Sequence, residues 1–197
     1  MPKTSKQLEE IKDRRRNSII DASLKLFCSR GYATVTIDDI CNKLKISHGL
    51  FYHYFSNKEE LQNTIIQNGR SKNEKIRKYS EFSTATGYEY VKEINSLMLE
   101  TLKGDRMACY YNYYFFMDNY FEKKKKKLPK LMNRILKEIK KGQDERKIIP
   151  GDPYEIFSLH TSLLLGIAVL NMKHQDNQFV PHDDSILNMF TRKEDTK

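Results

Sequence analysis

The sequence predicts an all-helical protein. Apolar residues recur every three and four positions along most of the chain, which is the spacing of one face of an α-helix. Residue types that cap helix N-termini stand directly before several of these stretches. Two predicted helices lie close together, one over 37–44 and one after Ser47. Two short helices joined by a tight turn are typical of a helix-turn-helix.

The composition fits a folded protein with a strongly basic surface. The 197 residues are 39% hydrophobic and include twelve Tyr and ten Phe, which is ample for a core and argues against disorder. Lys and Arg number 35 against 26 Asp and Glu, a formal excess of nine. Such an excess is common on solvated surfaces, and it also suits nucleic acid as a partner.

Neither a membrane span nor a metal site is predicted. The longest apolar run, 163–170, is far shorter than the roughly 18 residues of a membrane span. The polar N-terminal residues do not resemble a signal peptide, so we expect cytoplasmic localisation. Cys28, Cys41 and Cys109 share no metal-type spacing and are interpreted as small buried residues in a reducing compartment. No cofactor is predicted.

The N-terminal segment has two open interpretations. Residues 1–13 are polar and are followed by three arginines at 14–16. The segment is either a basic arm that contacts DNA beside the helix-turn-helix or the exposed start of the first helix. The first apolar stripe predicts that helix over 12–30, ended by Gly31.

The second helix is predicted over 37–44. Thr36 is its N-cap, with Asp39 three residues later in a capping-box arrangement. The turn follows at Lys45, and Ser47 caps the third helix.

The third helix is predicted to bury one face and expose the other. The buried face carries Phe51, Tyr54 and Phe55. The opposite face carries His48, Gly49, Tyr52 and His53. A helix this short is not stable alone, so its neighbours must hold it while the free face contacts DNA.

The fourth helix is predicted to begin at Ser56, with Glu59 three residues later in a second capping box. Lys58 lies in its first turn, where a cation opposes the helix dipole. Lys58 is therefore either an ordinary surface residue or a contact to an approaching phosphate.

Residues 19–61 resemble the tetracycline-repressor (TetR-like) family of transcription regulators. The resemblance rests on IIDASLKLF and RGY around the first helix, TIDDI in the second, and ISHGLFYHYFSNKEEL from the third into the fourth. Lys45 departs from the family, which usually has Gly in the turn. Beyond about residue 70 the resemblance is one of architecture only.

The resemblance implies an all-α fold of nine or ten helices. Residues 1–56 would form a three-helix DNA-binding domain, and 57–197 an effector-binding and dimerisation domain of a homodimer on double-stranded operator DNA. By position, phosphate contacts are assigned to Thr36, Tyr52 and Lys58, and base-edge contacts to His48, Gly49, Leu50 and His53, beside the capping residue Ser47.

The C-terminal part predicts further helices. The fourth helix continues to about residue 79, with Gly69 permitting a bend, and the others cover about 88–103, 105–122, 129–142, 153–173 and 183–191. The aromatic-rich 105–122 helix is either core or a pocket wall. The effector-pocket candidates are Asn95, Met98, Tyr110, Tyr113, Tyr114, Met117 and His160, the last alternatively a hydrogen-bonded core residue.

The last two helices are more apolar than one buried face requires, which predicts a self-complementary contact between two chains. Its candidates are Leu163, Ile167, Leu170, Ile186, Leu187 and Phe190, with Gly166 allowing close helix approach. The five lysines at 123–127 are interpreted as a solvated helix end, with a second DNA contact as the alternative.

The function predicted from these features is a ligand-responsive DNA-binding transcriptional regulator, most simply a repressor released by a small lipophilic or aromatic effector. The alternatives are an activator, a regulator without an effector, and a sequence-independent nucleic-acid binder. An enzyme is disfavoured because the sequence shows no nucleophile–base pair and no glycine-rich phosphate loop.

Overall fold

The computed structural model describes residues 4–103, 105–120, 129–173, 179 and 181–192. The five lysines at 123–127 and the predicted helical residues 121–122 lie outside this set. In the part that is described, the chain forms ten α-helices, and its β-pairing is limited to an isolated bridge between Ile148 and Thr191. The predicted all-helical fold is confirmed.

The helices are α1 (Ser5–Arg30), α2 (Ile37–Leu44), α3 (His48–Tyr54), α4 (Lys58–Lys72), α5 (Glu74–Phe82), α6 (Gly87–Leu102), α7 (Arg106–Tyr120), α8 (Lys130–Asp144), α9 (Pro153–Lys173) and α10 (Asp183–Leu187). They divide into two compact units, Met1–Asn68 and Gly69–Lys197, with the division inside α4. The functional boundary expected between residues 56 and 57 stays a prediction, because a division by packing does not test which residues contact DNA or an effector.

The first helix begins earlier than its apolar stripe predicts. The Thr4 side chain accepts a hydrogen bond from the Gln7 N–H at 3.4 Å, and Gln7 Oε1 accepts one from the Thr4 N–H at 3.0 Å. This capping box starts α1 at Ser5, before the first core residue, Ile19. The described residues of the polar N-terminal segment are therefore exposed helix rather than an extended arm.

The core of the first unit takes one buried face from each of its helices. The buried residues are Ile19, Ile20, Leu24 and Phe27 of α1, Ile40 and Cys41 of α2, Phe51 of α3, Phe55, and Leu61 and Ile65 of α4. Full burial of side chains of this size contributes roughly 1.5–3 kcal/mol each. These contacts hold the seven-residue α3, which has too few backbone hydrogen bonds to be stable alone.

The prediction of one long fourth helix with a bend at Gly69 is wrong. The helix α4 ends at Lys72, and Asn73, with a φ of −92° and a ψ of 17°, interrupts the helical path before α5. The buried Asn73 side chain donates a hydrogen bond to the Gly69 carbonyl at 3.2 Å. Gly69 instead allows close packing, because a Cβ there would lie 2.5 Å from the carbonyl oxygen of Met107 in α7.

The second unit is built around α6, which packs against α5, α7, α8, α9 and α10. Charged side chains of α8 form hydrogen bonds with the segment that precedes α6. The buried carboxylate of Glu138 accepts a hydrogen bond from the Gly87 N–H at 2.8 Å, and Arg134 donates to the carbonyl oxygens of Ser80 and Ser83. Gly87 has a φ of 57°, a conformation that favours glycine.

The α9 helix has both a buried and an exposed apolar face. Leu159, Leu163 and Leu170 are 36–60% exposed, whereas Leu164 and Ile167 are at most 5% exposed. Among the described helices, α9 alone is long and apolar enough to cross a membrane by length and composition, a criterion that core helices of folded domains also meet. The absence of membrane contact stays a prediction.

Candidate nucleic-acid interface

Both helices of the helix-turn-helix are capped by the side chains that the sequence predicts. Thr36 Oγ1 accepts from the Asp39 N–H at 3.1 Å, and the Asp39 carboxylate accepts from the Thr36 backbone N–H at 2.8 Å. Ser47 Oγ accepts from the Leu50 N–H at 3.2 Å. Hydrogen bonds from Thr36 and from Arg30 lower the pKa of Asp39 to about 2, so this carboxylate is ionised at neutral pH.

The turn keeps the geometry of a glycine turn although it contains lysine. Lys45 has a φ of 53° and a ψ of 48°, which is the left-handed conformation. The N–H groups of Lys45 and Ile46 donate to the carbonyls of Asn42 and Cys41 at 3.3 and 3.0 Å. A left-handed conformation costs a residue with a side chain about 1 kcal/mol, and Lys45 adds an exposed ammonium group to the turn.

The α3 helix divides into a buried and an exposed side. Phe51 and Phe55 are 0% and 1% exposed, as predicted, whereas Tyr54, also predicted on the buried face, is half-buried. The exposed side, called the α3 face below, consists of His48, Gly49, Tyr52 and His53. Beside Gly49 the space is open, since a Cβ there would have its nearest neighbour, Ser47 Oγ, at 4.0 Å. Leu50, the remaining predicted base-edge residue, is half-buried.

His48 pairs with a residue that the sequence interpretation did not assign to the site. Its Nε2 lies 2.8 Å from Oδ1 of Asp38 in α2, and both side chains are more than half exposed. The two residues are on different helices and meet only when the turn at Lys45 folds. Asp38 and His48 are ten residues apart in sequence, and this spacing carries no signal for the contact.

Lys58 has partners within its own unit. Its Nζ donates to the carbonyl oxygens of Tyr32 at 2.9 Å and Val35 at 2.7 Å, and it lies 4.3 Å from the centre of the Tyr32 ring. Two of its three N–H donors thus fasten the loop between α1 and α2 to the start of α4. These carbonyls account for a cation in the first turn of a helix, and the predicted phosphate contact would use the third donor.

The α4 helix is capped one residue later than predicted. Asn57 Oδ1 accepts from the Glu60 N–H at 2.8 Å. The Glu60 carboxylate in turn accepts from the Ser56 N–H at 2.7 Å and the Ser56 hydroxyl at 2.6 Å, which lowers the pKa of Glu60. The predicted Ser56–Glu59 capping box is therefore wrong, because Glu60 rather than Glu59 reaches back over the helix start.

The effector-pocket candidates fall into two groups. His160 Nε2 lies 2.8 Å from Asn95 Oδ1, and His160 and Met98 line an apolar cavity between α6, α8, α9 and α10. The cavity has room of about 20 Å³, little more than one water molecule needs. Burial of the ring lowers the pKa of His160 to about 4. Four other candidates lie along α7 and do not line this cavity: Tyr110, Tyr113, Tyr114 and Met117.

The dimer candidates also fall into two groups. Ile167, Ile186, Leu187 and Phe190 are buried within the second unit, each at most 8% exposed. Leu163 and Leu170 are exposed on α9, together with Leu159. Gly166 lies on this exposed side, with no atom within 4 Å of the position of a Cβ. The surface open to a partner is therefore an α9 stripe of Leu159, Leu163, Gly166 and Leu170.

The segment with this geometry matches a known family in sequence. Residues 19–64 match the family model described as bacterial regulatory proteins, tetR family. The HTH-type transcriptional regulator HbdR of Aromatoleum sp. is 41% identical over 56 residues, covering 28% of this chain and 24% of HbdR. IcaR of Staphylococcus epidermidis, a negative transcriptional regulator of a biofilm operon, is 34% identical over 53 residues, covering 27% of this chain and 29% of IcaR. These matches span about a quarter of the relatives' length.

The likeness of fold extends over most of the chain. The ketosteroid transcriptional regulator KstR2 of Mycobacterium tuberculosis superposes with a TM-score of 0.59 at 14% identity, over 91% of this chain and 96% of KstR2. At this identity the likeness concerns the fold alone. The chain is therefore TetR-like: residues 19–64 match the model of the tetR family of bacterial regulatory proteins, and the chain as a whole shares the fold of KstR2.

Proposed function

We propose that the protein is a homodimeric, sequence-specific DNA-binding transcriptional regulator whose α3 helix enters the major groove. The α3 face carries the proposal. It presents two imidazoles, a phenol and a glycine to solvent, while Phe51 and Phe55 fix the opposite side in the core. A rigid helix with hydrogen-bonding groups on its free side is the usual means of base readout in a helix-turn-helix.

The contacts divide by chemistry. The imidazoles of His48 and His53 are suited to base edges, and Gly49 allows the backbone to approach the DNA closely. The exposed Tyr52 hydroxyl is suited to phosphate, as is the exposed Lys45 ammonium. Thr36, Ser47 and Lys58 also have roles within the fold. The Ser47 hydroxyl and the third N–H of Lys58 remain for a DNA contact, whereas the Thr36 hydroxyl donates to Asp39 and would have to leave it to reach a phosphate.

Repression is the favoured direction of control. The sequence relative IcaR, 34% identical over 53 residues, is named as a negative transcriptional regulator. A dimer bound across a promoter blocks it without further contacts, whereas activation would require a surface that recruits polymerase.

A small effector is proposed to act on the second unit. The cavity beside His160 is lined mostly by aliphatic side chains, with the neutral His160–Asn95 pair as its polar element. An uncharged, mostly apolar molecule with one hydrogen-bonding group fits this lining. Because the cavity is little larger than a water molecule, such a ligand would have to displace side chains. It would then favour the conformation that accommodates it.

Dimerisation is proposed to use the α9 stripe. Its four residues are spaced as one face of a helix, and Gly166 permits close approach of a second helix. Leu163→Glu should leave the single chain folded, because the side chain is exposed, and should convert the dimer to monomer in sedimentation. A Leu163→Glu protein that sediments as wild type would place the interface elsewhere.

The function is tested by electrophoretic mobility shift with the full-length protein and duplex DNA that flanks its own gene. At moderate salt we expect a discrete shifted band that a shuffled duplex of the same composition does not compete away. Equal competition by the shuffled duplex would favour the sequence-independent binder. No shifted band with the native protein would reject the proposal.

A further inference from the structure

We infer that Asp38 is a positioning residue that acts through His48, and that the two together read one base of the DNA site in a proton-dependent way. The inference rests on the proposed DNA-binding function of the α3 face. It assigns a role in DNA binding to Asp38, which the sequence analysis did not include among the site residues.

The contact joins the two helices of the helix-turn-helix across their turn. Asp38 lies in the first turn of α2 and His48 is the first residue of α3. The 2.8 Å separation of Asp38 Oδ1 and His48 Nε2 is that of a charge-assisted hydrogen bond. The side chains are 73% and 55% exposed, so the pair lies on the surface that DNA would approach.

The pairing determines which ring nitrogen is available to a base. An ionised carboxylate only accepts hydrogen bonds, so Nε2 carries the proton that it receives. Nδ1 of His48 is then the atom left for DNA. With a lone pair, Nδ1 accepts from the amino group of adenine or cytosine, and with a proton it donates to O6 of guanine, where adenine carries an amino group instead.

A protonated His48 would have two anionic neighbours in the complex, the Asp38 carboxylate beside its ring and the phosphates of DNA. The pair is neutral when His48 is protonated and carries one negative charge when it is not, and that charge would be repelled by DNA. The pair therefore favours guanine, and this preference weakens as the pH rises.

Other charged or titratable side chains lie on α2, in the turn and on α3. On α2, Asp39 is 2.9 Å from Arg30 of α1 and also accepts from Thr36, so it is already compensated. Lys43 at the end of α2 and Lys45 in the turn are exposed cations. His53 is a second imidazole on the α3 face, so it requires a separate variant.

The probe is the duplex that full-length wild-type protein enriches from a random library at pH 6. Binding is measured by fluorescence anisotropy at pH 6 and pH 8, with the enriched duplex and with duplexes changed at each position. We expect one position at which guanine is preferred by about fivefold or more at pH 6 and by less at pH 8. His48→Gln should remove the pH dependence at that position, and His53→Gln should leave it in place.

Two variants separate the geometry of the pair from its charge. Asp38→Asn keeps an oxygen that accepts from Nε2 but removes the charge, so the guanine preference should weaken at a lower pH than in wild type. Asp38→Ala removes both and should lose the preference at both pH values. Asp21→Asn, at an exposed carboxylate of α1, makes the same charge change and should leave all base preferences unaltered.

Circular dichroism melting establishes that each variant is folded, and the Asn and Gln variants keep the test valid if Asp38→Ala is destabilised. Suppose a site is enriched, but Asp38→Asn and His48→Gln keep wild-type base preferences at both pH values. The pairing role is then overturned while the DNA-binding function stands. If no duplex is enriched, the proposed function fails, and this inference fails with it.

Discussion

Lys45 shows how a single residue can conflict with the conformation it adopts. It occupies the left-handed region with φ 53° and ψ 48°. Lys45→Gly should raise the free energy of unfolding by roughly 0.5–1 kcal/mol, because glycine takes this conformation at little cost. The matched exchange Lys43→Gly, inside α2, should lower it by a similar amount. Urea unfolding followed by circular dichroism measures both, and a loss of stability in both would show that the turn is not strained.

Lys58 is expected to contribute to stability through its two carbonyl partners. Lys58→Met removes a charged donor from the oxygens of Tyr32 and Val35, and it should lower the free energy of unfolding by about 1–2 kcal/mol. Lys25→Met, at an exposed α1 position, is the control and should change it by less than about 0.5 kcal/mol. Wild-type stability of Lys58→Met, together with weaker DNA binding, would instead support the phosphate contact alone.

His160 makes stability depend on pH. Its folded-state pKa, lowered to about 4 by burial, lies below the ordinary value of 6.5. Between these values the unfolded chain binds the proton more readily, so stability is full above about pH 6.5 and falls as the pH drops towards 4. Relative to His160→Gln, wild type should lose roughly 2 kcal/mol between pH 7 and pH 4.5 in urea unfolding. Parallel pH profiles would contradict this.

At the scale of helices, two glycines have opposite surroundings. A Cβ on Gly69 would meet the Met107 carbonyl at 2.5 Å, whereas nothing lies within 4 Å of one on Gly166. Gly69→Ala should therefore cost about 1–3 kcal/mol. Gly166→Ala is measured in the Leu163→Glu background, so that no partner chain covers α9. There it should raise the free energy of unfolding by up to about 1 kcal/mol, because alanine has a higher helix propensity than glycine. Thermal melts that rank the two alanines in the reverse order would contradict the close contact between Gly69 and the Met107 carbonyl.

The helix boundaries show which features of the fold a sequence pattern can predict. The bounds of α2 and α9 follow from the apolar spacing and from caps such as Thr36, because these signals are local. The break at Asn73 was missed because it depends on local backbone angles that no turn residue such as Pro or Gly marks. The close packing at Gly69 was also missed, because the neighbour of a helix face is set by tertiary packing; the close approach expected at Gly166 concerns a partner chain and stays a prediction.

Across the whole molecule, the candidate DNA surface was more predictable than the candidate effector cavity. The exposed side of α3 follows from which residues must be buried, so Phe51 and Phe55 already indicate the positions of His48 and His53. The cavity beside His160 combines residues from four helices, and the aromatic candidates of α7 do not line it. The composition showed that the chain is rich in aromatic side chains, but it did not show which helices enclose a cavity.

The central claim is that the α3 face binds a specific DNA sequence. The most direct test is the ratio of the Kd for a shuffled duplex to the Kd for the enriched duplex, measured by anisotropy at 150 mM salt (a value on the order of physiological ionic strength). We predict a ratio on the order of 10³ or more for wild type. Tyr52→Ala should weaken binding to both duplexes alike, whereas His53→Ala should lower the ratio. A wild-type ratio near one, or a ratio that His53→Ala leaves unchanged, would contradict the claim.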